Sequence, residues 1–355
     1  RRWVWKARES ADPGFYLNAN ACADVALELD PGSREAMALR GLVLLNSHKF
    51  TDAKDVAGQI LAKDPQHLLA LSVLSDCELE IGDYDAATSA AQRMNNLKPN
   101  LPAYVRASHL RWLRGDEDGA KELIKHAYDA KDPREPESGA WVLVQGAVMF
   151  LEDGDYDGAE KGFELALRDV PDYPQALVGE GRVALARGDG KRAAELLDRA
   201  YKASPLVETA WRLGDAREMA GDHAGAEAAY AEVKKRGRQS DGRTLAQFLA
   251  TKNEDHDEAL KLALDEKKVR DDIYTEDAIA WASYRLGKLP EARAASDLAT
   301  RLGTKEARLL YHAGAIRIAQ GDKAGGEKLV KEALAKNPKF DVTGAAEAAK
   351  LCPPE

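Results

Sequence analysis

The chain has 355 residues, of which 45% are hydrophobic, and its 60 acidic residues outnumber its 51 Lys and Arg residues to give a net charge of −9. An acidic surface without a long basic stripe argues against a nucleic-acid partner. No apolar run reaches the ~20 residues that a membrane-spanning helix needs. The chain opens on Arg1-Arg2-Trp3 without an initiating Met, so we expect a signal peptide, a lipid anchor or a trimmed segment upstream.

Prolines recur at a fixed spacing along the first two thirds of the chain. Those separated by 34 residues, with one longer step of 38, are Pro31, Pro65, Pro99, Pro133, Pro171 and Pro205. A period of this size is typical of stacked repeats, in which each unit buries its apolar face only against its neighbours. The period therefore predicts a solenoid, an architecture that favours a partner-binding surface over a catalytic site.

A second series, of glycines, sets the register within each repeat. Its members are Gly82, Gly115, Gly154, Gly188, Gly221, Gly287 and Gly321. Glycine readily adopts the left-handed conformation that ends a helix, and the Asp that follows most of these glycines can cap the next helix. A small residue stands seven positions before each glycine of the series. Five positions after each stands an alanine or, in the last repeat, a further glycine. Each unit is therefore predicted to be a helical hairpin whose two backbones approach closely.

On these features the chain resembles the tetratricopeptide repeat (TPR) family. The resemblance begins in the first unit, at Trp3, Ala7, Gly14, Tyr16, Ala19, Ala26 and Pro31. It implies an all-α, right-handed TPR solenoid of antiparallel helix pairs. We count ten units, which end near residues 31, 65, 99, 133, 171, 205, 238, 270, 304 and 338. A capping helix over about Asp341–Leu351 is expected to close the stack.

Two irregular places predict a division of the solenoid. The extra residues of the long proline step lie in 131–137, which predicts a longer loop between the fourth and fifth units. The charged, glycine-containing stretch 234–243 is expected to be a hinge. We therefore predict an amino-terminal superhelix of about seven repeats at 1–236, and three further repeats with the capping helix at 242–355.

No pattern in the sequence predicts an enzyme or a cofactor site. The three cysteines fit no CxxC pattern, and we interpret Cys22 and Cys77 as small buried residues, with a free-thiol or disulfide role as the alternative. The histidines show no zinc-ligand spacing. Residues 153–164 satisfy an EF-hand calcium-loop pattern. The same segment aligns with the turn and second helix of every other unit, which favours an ordinary turn with helix from about Asp157 onward.

The partner-binding residues are predicted from the resemblance, which implies that the first helix of each hairpin lines a concave groove. The side chains that we select in this groove are His109, Trp112, Arg182, Trp211, Asp215, Trp281 and Tyr284. Aromatic anchors with single charges are typical of peptide recognition. The alternatives are that the tryptophans fill gaps between units, and that Arg182 pairs with Asp215 in the next unit.

We therefore predict a non-catalytic scaffold that binds a protein or peptide partner in its groove. The alternative is a structural subunit that docks into a larger assembly through the solenoid ends and outer face. The Lys and Asn clamp by which some TPR domains grip a carboxyl terminus is missing. A looser resemblance of Asp277–Phe340 to large bacterial TPR proteins, often exported, favours a periplasmic or extracellular location, with the cytoplasm as the alternative.

Overall fold

The architecture is all-α, as predicted. The computed structural model describes residues 3, 4, 6, 7, 12 and 14–353 of the chain. Twenty helices lie between Phe15 and Leu351, and the described residues contain no β-strand. From residue 34 onward the helices alternate as the first and second members of successive hairpins, so the ten-unit register predicted from the sequence accounts for their order.

The helix bounds follow the repeat. The first eight helices are α1 (Phe15–Leu29), α2 (Arg34–Asn46), α3 (Phe50–Lys63), α4 (Leu68–Ile81), α5 (Tyr84–Leu97), α6 (Leu101–Leu113), α7 (Glu117–Asp129) and α8 (Pro136–Glu152). The next six are α9 (Tyr156–Asp169), α10 (Pro174–Ala186), α11 (Gly190–Ala203), α12 (Val207–Met219), α13 (His223–Ser240) and α14 (Gly242–Lys252). The last six are α15 (His256–Lys267), α16 (Ile273–Arg285), α17 (Leu289–Ala299), α18 (Ala307–Ala319), α19 (Lys323–Lys336) and α20 (Gly344–Leu351).

Seven hairpins turn at the glycines of the predicted series. All seven glycines of the series have positive φ, as in Gly154 at 76°. The aspartate that follows most of them caps the second helix, as where Asp155 Oδ1 accepts a hydrogen bond from the Gly158 amide at 2.9 Å. The eighth unit lacks the glycine, and Asn253 takes the left-handed position with φ of 59°. Asn is the residue other than glycine that tolerates this conformation best.

Small residues allow the paired helices to touch. The Ser75 hydroxyl donates to the Ala87 carbonyl at 3.0 Å, and the Ser108 hydroxyl donates to the Ala120 carbonyl at 2.7 Å. At Gly181 even a methyl group would lie 2.6 Å from Leu197 Cγ. The predicted close contact between the two helices of a hairpin is therefore made by hydroxyl-to-carbonyl bonds in some units and by the absence of a side chain in others.

One cysteine prediction is wrong. Cys77 is buried as expected, and burial raises the pKa of its thiol to about 12. Cys22, by contrast, is exposed. The period places Cys22 inside α1 but does not say which side of that helix packs on the next unit, and α1 turns Ala19 and Ala23 inward instead.

The described chain divides into two compact units, each of which contains several repeats. They are called the first unit and the second unit below. The first contains the chain up to Trp112 together with Asp116–Val142 and Val269–Asp272; the second contains Leu113–Gly115, Leu143–Lys268 and the chain from Ile273 onward. The main division falls within α8. The boundary predicted at 236–242 falls inside the second unit, where Asp241 joins α13 directly to α14 by capping both helices. A hinge there stays a prediction about motion.

The second unit closes on itself at a contact between residues distant in sequence. The Asn337 side-chain amide, which is buried, donates to the Leu151 carbonyl at 2.9 Å. Its oxygen accepts a hydrogen bond from the Tyr156 hydroxyl at 2.7 Å. Beside it, Lys336 forms an ion pair with Asp153. These contacts fasten the segment after α19 to the turn between α8 and α9.

The segment that matches the calcium-loop pattern is this same turn. Helix α9 begins at Tyr156, so the expectation of helix from about Asp157 onward is confirmed. Its carboxylates have other partners: Asp153 binds Lys336, Asp155 caps α9 and Asp157 binds Arg187 at 2.6 Å. Over the residues that the structure describes, no group of three or more His, Cys, Asp and Glu side chains is arranged to hold a metal ion.

Candidate functional site

The predicted groove residues of the first unit are His109 and Trp112, both on α6. His109 is half-buried, and this burial lowers the pKa of its imidazole although nearby carboxylates, Asp76 first among them, oppose the shift. Asp76 itself forms a two-pronged ion pair with Arg106, at 2.8 and 2.6 Å. Trp112 is buried. The first unit therefore places a neutral, partly accessible imidazole beside a carboxylate that already has a cationic partner.

Arg182, on α10 of the second unit, is held by a neighbouring carboxylate. Its Nη2 donates to Glu152 Oε1 at 2.6 Å, and each of these side chains keeps about a fifth of its surface exposed. The pairing of Arg182 with Asp215 that the sequence left open is not formed, because Arg182 binds Glu152 on α8 and Asp215 binds Lys252 and Tyr230. The carboxylates of Glu152, Glu208 and Glu306 raise the pKa of Arg182 against the opposing effect of burial.

Trp211 and Asp215 lie on α12 and are buried. Asp215 is only 3% exposed, and its Oδ1 accepts from Lys252 Nζ at 2.6 Å and from the Tyr230 hydroxyl at 2.8 Å. Burial, reinforced by Asp215, raises the pKa of Tyr230, so its phenol stays a donor. Trp211 meets the ring of Phe248 edge-on at 5.5 Å between centroids. These side chains hold α12, α13 and α14 together.

Trp281 and Tyr284, on α16, belong to an aromatic stack. Trp281 is 2% exposed and lies parallel to His312 at 4.0 Å between centroids and to Tyr284 at 4.9 Å. Tyr284 is half-buried. His312 Nδ1 meets Asp277 Oδ1 at 2.8 Å. Burial works to raise the pKa of Asp277, but His312 and then Arg308 outweigh it and hold that pKa below its usual range.

The charges of three arginines act on one glutamate in the second compact unit. Glu208 is exposed over half of its side chain, and Arg212 Nη2 lies 3.6 Å from its Oε1. Burial works to raise the pKa of Glu208, but the charges of Arg212, Arg182 and Arg308 hold it below its usual value. The first helices α10, α12 and α18 therefore carry guanidinium groups from three repeats whose charges act on one carboxylate.

Sequence reasoning missed Arg212, Glu208 and Arg308, although a signal was available. Glu208 and Arg308 both stand six positions before the small packing residue of their unit, and Arg212 stands two positions before it. Reading the first helices at these two positions, six and two before the small packing residue, would have identified the three residues. The same reading gives Tyr274 and His312, which occupy these positions in other repeats.

A cavity of about 330 Å³ opens beside this charge cluster. Its wall comes from α8, α10, α12 and the carboxyl-terminal segment that includes α20. The cationic side chains that line it are Arg182, Arg187, Arg212 and Lys339, and the apolar ones include Leu151, Leu185, Met219, Pro338, Phe340 and Val342.

None of the helices in the described part of the chain combines the length and apolar character that a bilayer crossing requires.

Helical hairpins in a 34-residue register, with small residues at their contacts, define a repeat scaffold of the solenoid class. Two segments of the chain, residues 44–109 and 147–208, match the tetratricopeptide repeat family. These segments of the chain are tetratricopeptide repeats, as the resemblance implied.

Known proteins that are similar to the chain fall into a distant relative and a set of fold neighbours. The relative is the cellulose synthase operon protein C of Pseudomonas fluorescens (strain SBW25), 28% identical over 234 residues that cover 62% of this chain and 17% of that protein. The chain thus spans under a fifth of the length of that relative.

Three solved structures illustrate the shared fold. The Cut9–Hcn1 hetero-tetramer of APC/C aligns with a TM-score of 0.54 and 15% identity over 86% of this chain and 52% of that one. The human IFIT1 dimer with PPP-AAAA aligns with a TM-score of 0.54 and 15% identity over 85% and 72%. PilW, a type IV pilus biogenesis factor, aligns with a TM-score of 0.50 and 14% identity over 61% and 98%. At these identities the likeness concerns the fold alone.

Proposed function

We propose that the chain is a non-catalytic scaffold that binds a protein or peptide partner along the first helices of its repeats. The observation that carries the proposal is the composition of these helices in the second unit. On α16 the half-buried Tyr284 stacks on the buried Trp281 at 4.9 Å between ring centroids, and on α12 the half-exposed Glu208 stands three positions before the buried Trp211. Arg182, on α10, keeps about a fifth of its side chain exposed. Partly exposed polar groups beside an aromatic floor suit a peptide that needs both anchoring and register.

The seven selected residues take two roles in this proposal. His109, Arg182 and Tyr284 keep accessible surface and contact the partner. The other four are buried and hold the contacting residues in place: Trp112, Trp211, Asp215 and Trp281. Human IFIT1 was solved with PPP-AAAA, but the net charge of −9 on this chain supports a protein rather than a nucleic acid as its partner.

The test is capture of partners from a bacterial lysate by the full chain, followed by affinity measurement with the captured protein. Arg182→Gln and Tyr284→Ala should each weaken binding by about tenfold, the scale of a moderate interface residue. Arg168→Gln, on the exposed side of the second helix α9, is the matched control and should bind normally. Unchanged affinity in both groove variants, with helical content intact by circular dichroism, would reject the proposed surface.

A structural subunit is the second candidate, favoured by one exposed apolar surface. Helix α1 leaves Leu17, Val25 and Leu29 largely exposed. Large apolar side chains grouped on one helix mark a surface that another protein covers. Light scattering of the purified chain separates the two candidates, because concentration-dependent self-association that Leu29→Glu abolishes would support the subunit, and a monomer at all concentrations would support the scaffold alone.

A further inference from the structure

The cavity of the second unit combines an apolar wall with a surplus of positive charge. Of its charged lining residues, four are cationic and one, Asp341, is acidic. Asp341 is already engaged, because its Oδ1 accepts a hydrogen bond from the Gly344 amide at the start of α20. The volume of about 330 Å³ lies at the small end of the ~300–1,000 Å³ range of ligand sites. The cavity therefore fits a small ligand with an apolar body and a negative group.

The arginines of the lining differ in how well their charges are matched. Arg182 has a carboxylate oxygen of Glu152 at 2.6 Å, and Arg187 has carboxylate oxygens of Glu160 and Asp157 at 2.6 Å each. These two guanidinium groups are bound by protein carboxylates at full hydrogen-bond strength. They contribute positive potential to the cavity but are not short of partners.

Arg212 is the guanidinium with unused capacity. It is 8% exposed, and its Nε has no hydrogen-bond partner among the residues that the structure describes. Its nearest carboxylate oxygen, on Glu208, lies 3.6 Å from Nη2, beyond a normal hydrogen bond. The side chain is held over the ring of Trp211, at 5.0 Å from its centroid. A buried donor without an acceptor is costly, so a ligand carboxylate that reaches this guanidinium gains a strong, charge-assisted bond.

We propose that this cavity binds an apolar carboxylate, with the carboxylate on Arg212 and the hydrocarbon part against Leu185, Phe340 and Val342. A carboxylate suits the site better than inorganic phosphate, because phosphate offers nothing to the apolar wall and loses its hydration on entry. The carboxylate comes either from a free organic acid or from an acidic side chain of a bound polypeptide. The site extends beyond the proposed scaffold function, since a free acid needs no protein partner.

The test is isothermal titration of the full chain with four probes. These are octanoate, its neutral analogue octanamide, inorganic phosphate and the short peptide acetyl-Leu-Glu-Leu-amide. We expect octanoate, the peptide or both to bind at least tenfold more tightly than octanamide and phosphate. Saturation by octanoate assigns the site to free acids, and saturation by the peptide alone assigns it to acidic segments of polypeptides.

Two variants with matched controls locate the binding. Arg212→Met keeps the apolar stem and removes the guanidinium, and it should weaken carboxylate binding at least tenfold, whereas Arg293→Met, on α17 and outside the cavity lining, should not. Ala346→Phe fills the cavity from the exposed face of α20 and should abolish binding even if Arg212→Met fails to fold; Ala62→Phe, on α3, is its control.

Several results would overturn the carboxylate site. They are equal binding of octanoate and octanamide, equal binding of phosphate, no binding of any probe, and full binding by Ala346→Phe. The scaffold proposal is tested separately by partner capture with Arg182→Gln and Tyr284→Ala, so that either proposal can fail while the other stands.

Discussion

The regions around Asp215 and Asp277 are built alike, but the carboxylates of the two aspartates differ in how fully they are hydrogen-bonded. Each has a buried aspartate on the first helix of a repeat, four positions from a buried tryptophan, Trp211 or Trp281. In the first region, Asp215 Oδ1 accepts from both Lys252 Nζ and the Tyr230 hydroxyl. A permanent charge and a phenol therefore neutralise and satisfy this aspartate.

The second region relies on a group that is charged only when it is protonated. Asp277 Oδ1 meets His312, while its Oδ2 lies 3.7 Å from Arg308 Nε and has no hydrogen-bond partner in the described part of the chain. A buried aspartate on a first helix can thus have its hydrogen-bonding capacity used by packing, as at Asp215, or keep an oxygen without a hydrogen-bond partner among the described residues, as at Asp277. Four predictions test this difference, beginning with the largest effect.

Removing the ammonium from the first region should be the most damaging change. Lys252→Met leaves Asp215 buried with only Tyr230 as partner, and breaking a buried ion pair in this way costs about 3 kcal/mol. Native-state hydrogen exchange on α12 and α14 should report this loss locally. Lys261→Met, on an exposed face of α15, is the control and should change protection by less than about 0.5 kcal/mol. Equal protection in both variants would show that Asp215 does not depend on Lys252.

In the second region, His312→Phe should have a smaller effect. Phenylalanine keeps a flat ring against Trp281 but leaves Asp277 Oδ1 without its partner, which costs about 2 kcal/mol for a buried acceptor. The measurement is hydrogen exchange on α16 and α18. A variant as stable as the natural chain would mean that the stack, rather than the hydrogen bond, holds His312 in place.

Acid should weaken the second region through Asp277. Because the pKa of Asp277 is held below its usual value in the folded state, the unfolded chain takes up the proton first as the pH falls. The stabilisation is therefore complete above the ordinary Asp pKa of about 3.9 and is lost as the pH drops through the folded pKa. Between pH 5 and pH 3 the natural chain should lose more stability than Asp277→Asn in urea unfolding. Parallel losses would contradict the depressed pKa.

Arg308→Gln should have the smallest effect of the four. The Arg308 Nε stands 3.7 Å from Asp277 Oδ2, beyond hydrogen-bond distance, and more than a quarter of the Arg308 side chain is exposed. The loss should therefore be smaller than that of His312→Phe, about 1 kcal/mol or less. A loss as large as that of His312→Phe would show that Arg308, and not the imidazole, is the main partner of Asp277. Thermal unfolding of the two variants side by side provides the comparison.

The local structure of each hairpin could be predicted from the sequence, because it depends on residues close together in the chain. The turn at Gly154 and the cap by Asp155 follow from the conformational preferences of those residues alone. The role of Asp215 could not be predicted in the same way. Its partner Lys252 lies 37 residues later in the chain, in the next repeat. The repeat register predicts the helix on which a side chain lies but does not show which neighbouring side chain it contacts.

The cavity was beyond sequence reasoning for the same physical cause. It joins Leu151 and Arg182 to residues of the carboxyl-terminal segment that lie more than 150 positions later in the chain. A 34-residue period describes each repeat and its nearest neighbours. The curvature that brings distant repeats of the second compact unit together accumulates from small rotations between successive repeats. No single residue encodes this curvature.

The bond from Asn337 to the Leu151 carbonyl has an evolutionary consequence. Most repeat arrays tolerate gain or loss of a whole repeat, since each repeat touches only the next. In the second compact unit, inserting or deleting one 34-residue hairpin between Leu151 and Asn337 would carry the Asn337 amide away from the Leu151 carbonyl and leave both groups buried without partners. Drift in copy number is therefore penalised within this stretch, whereas point substitutions on its outer helices remain free to accumulate.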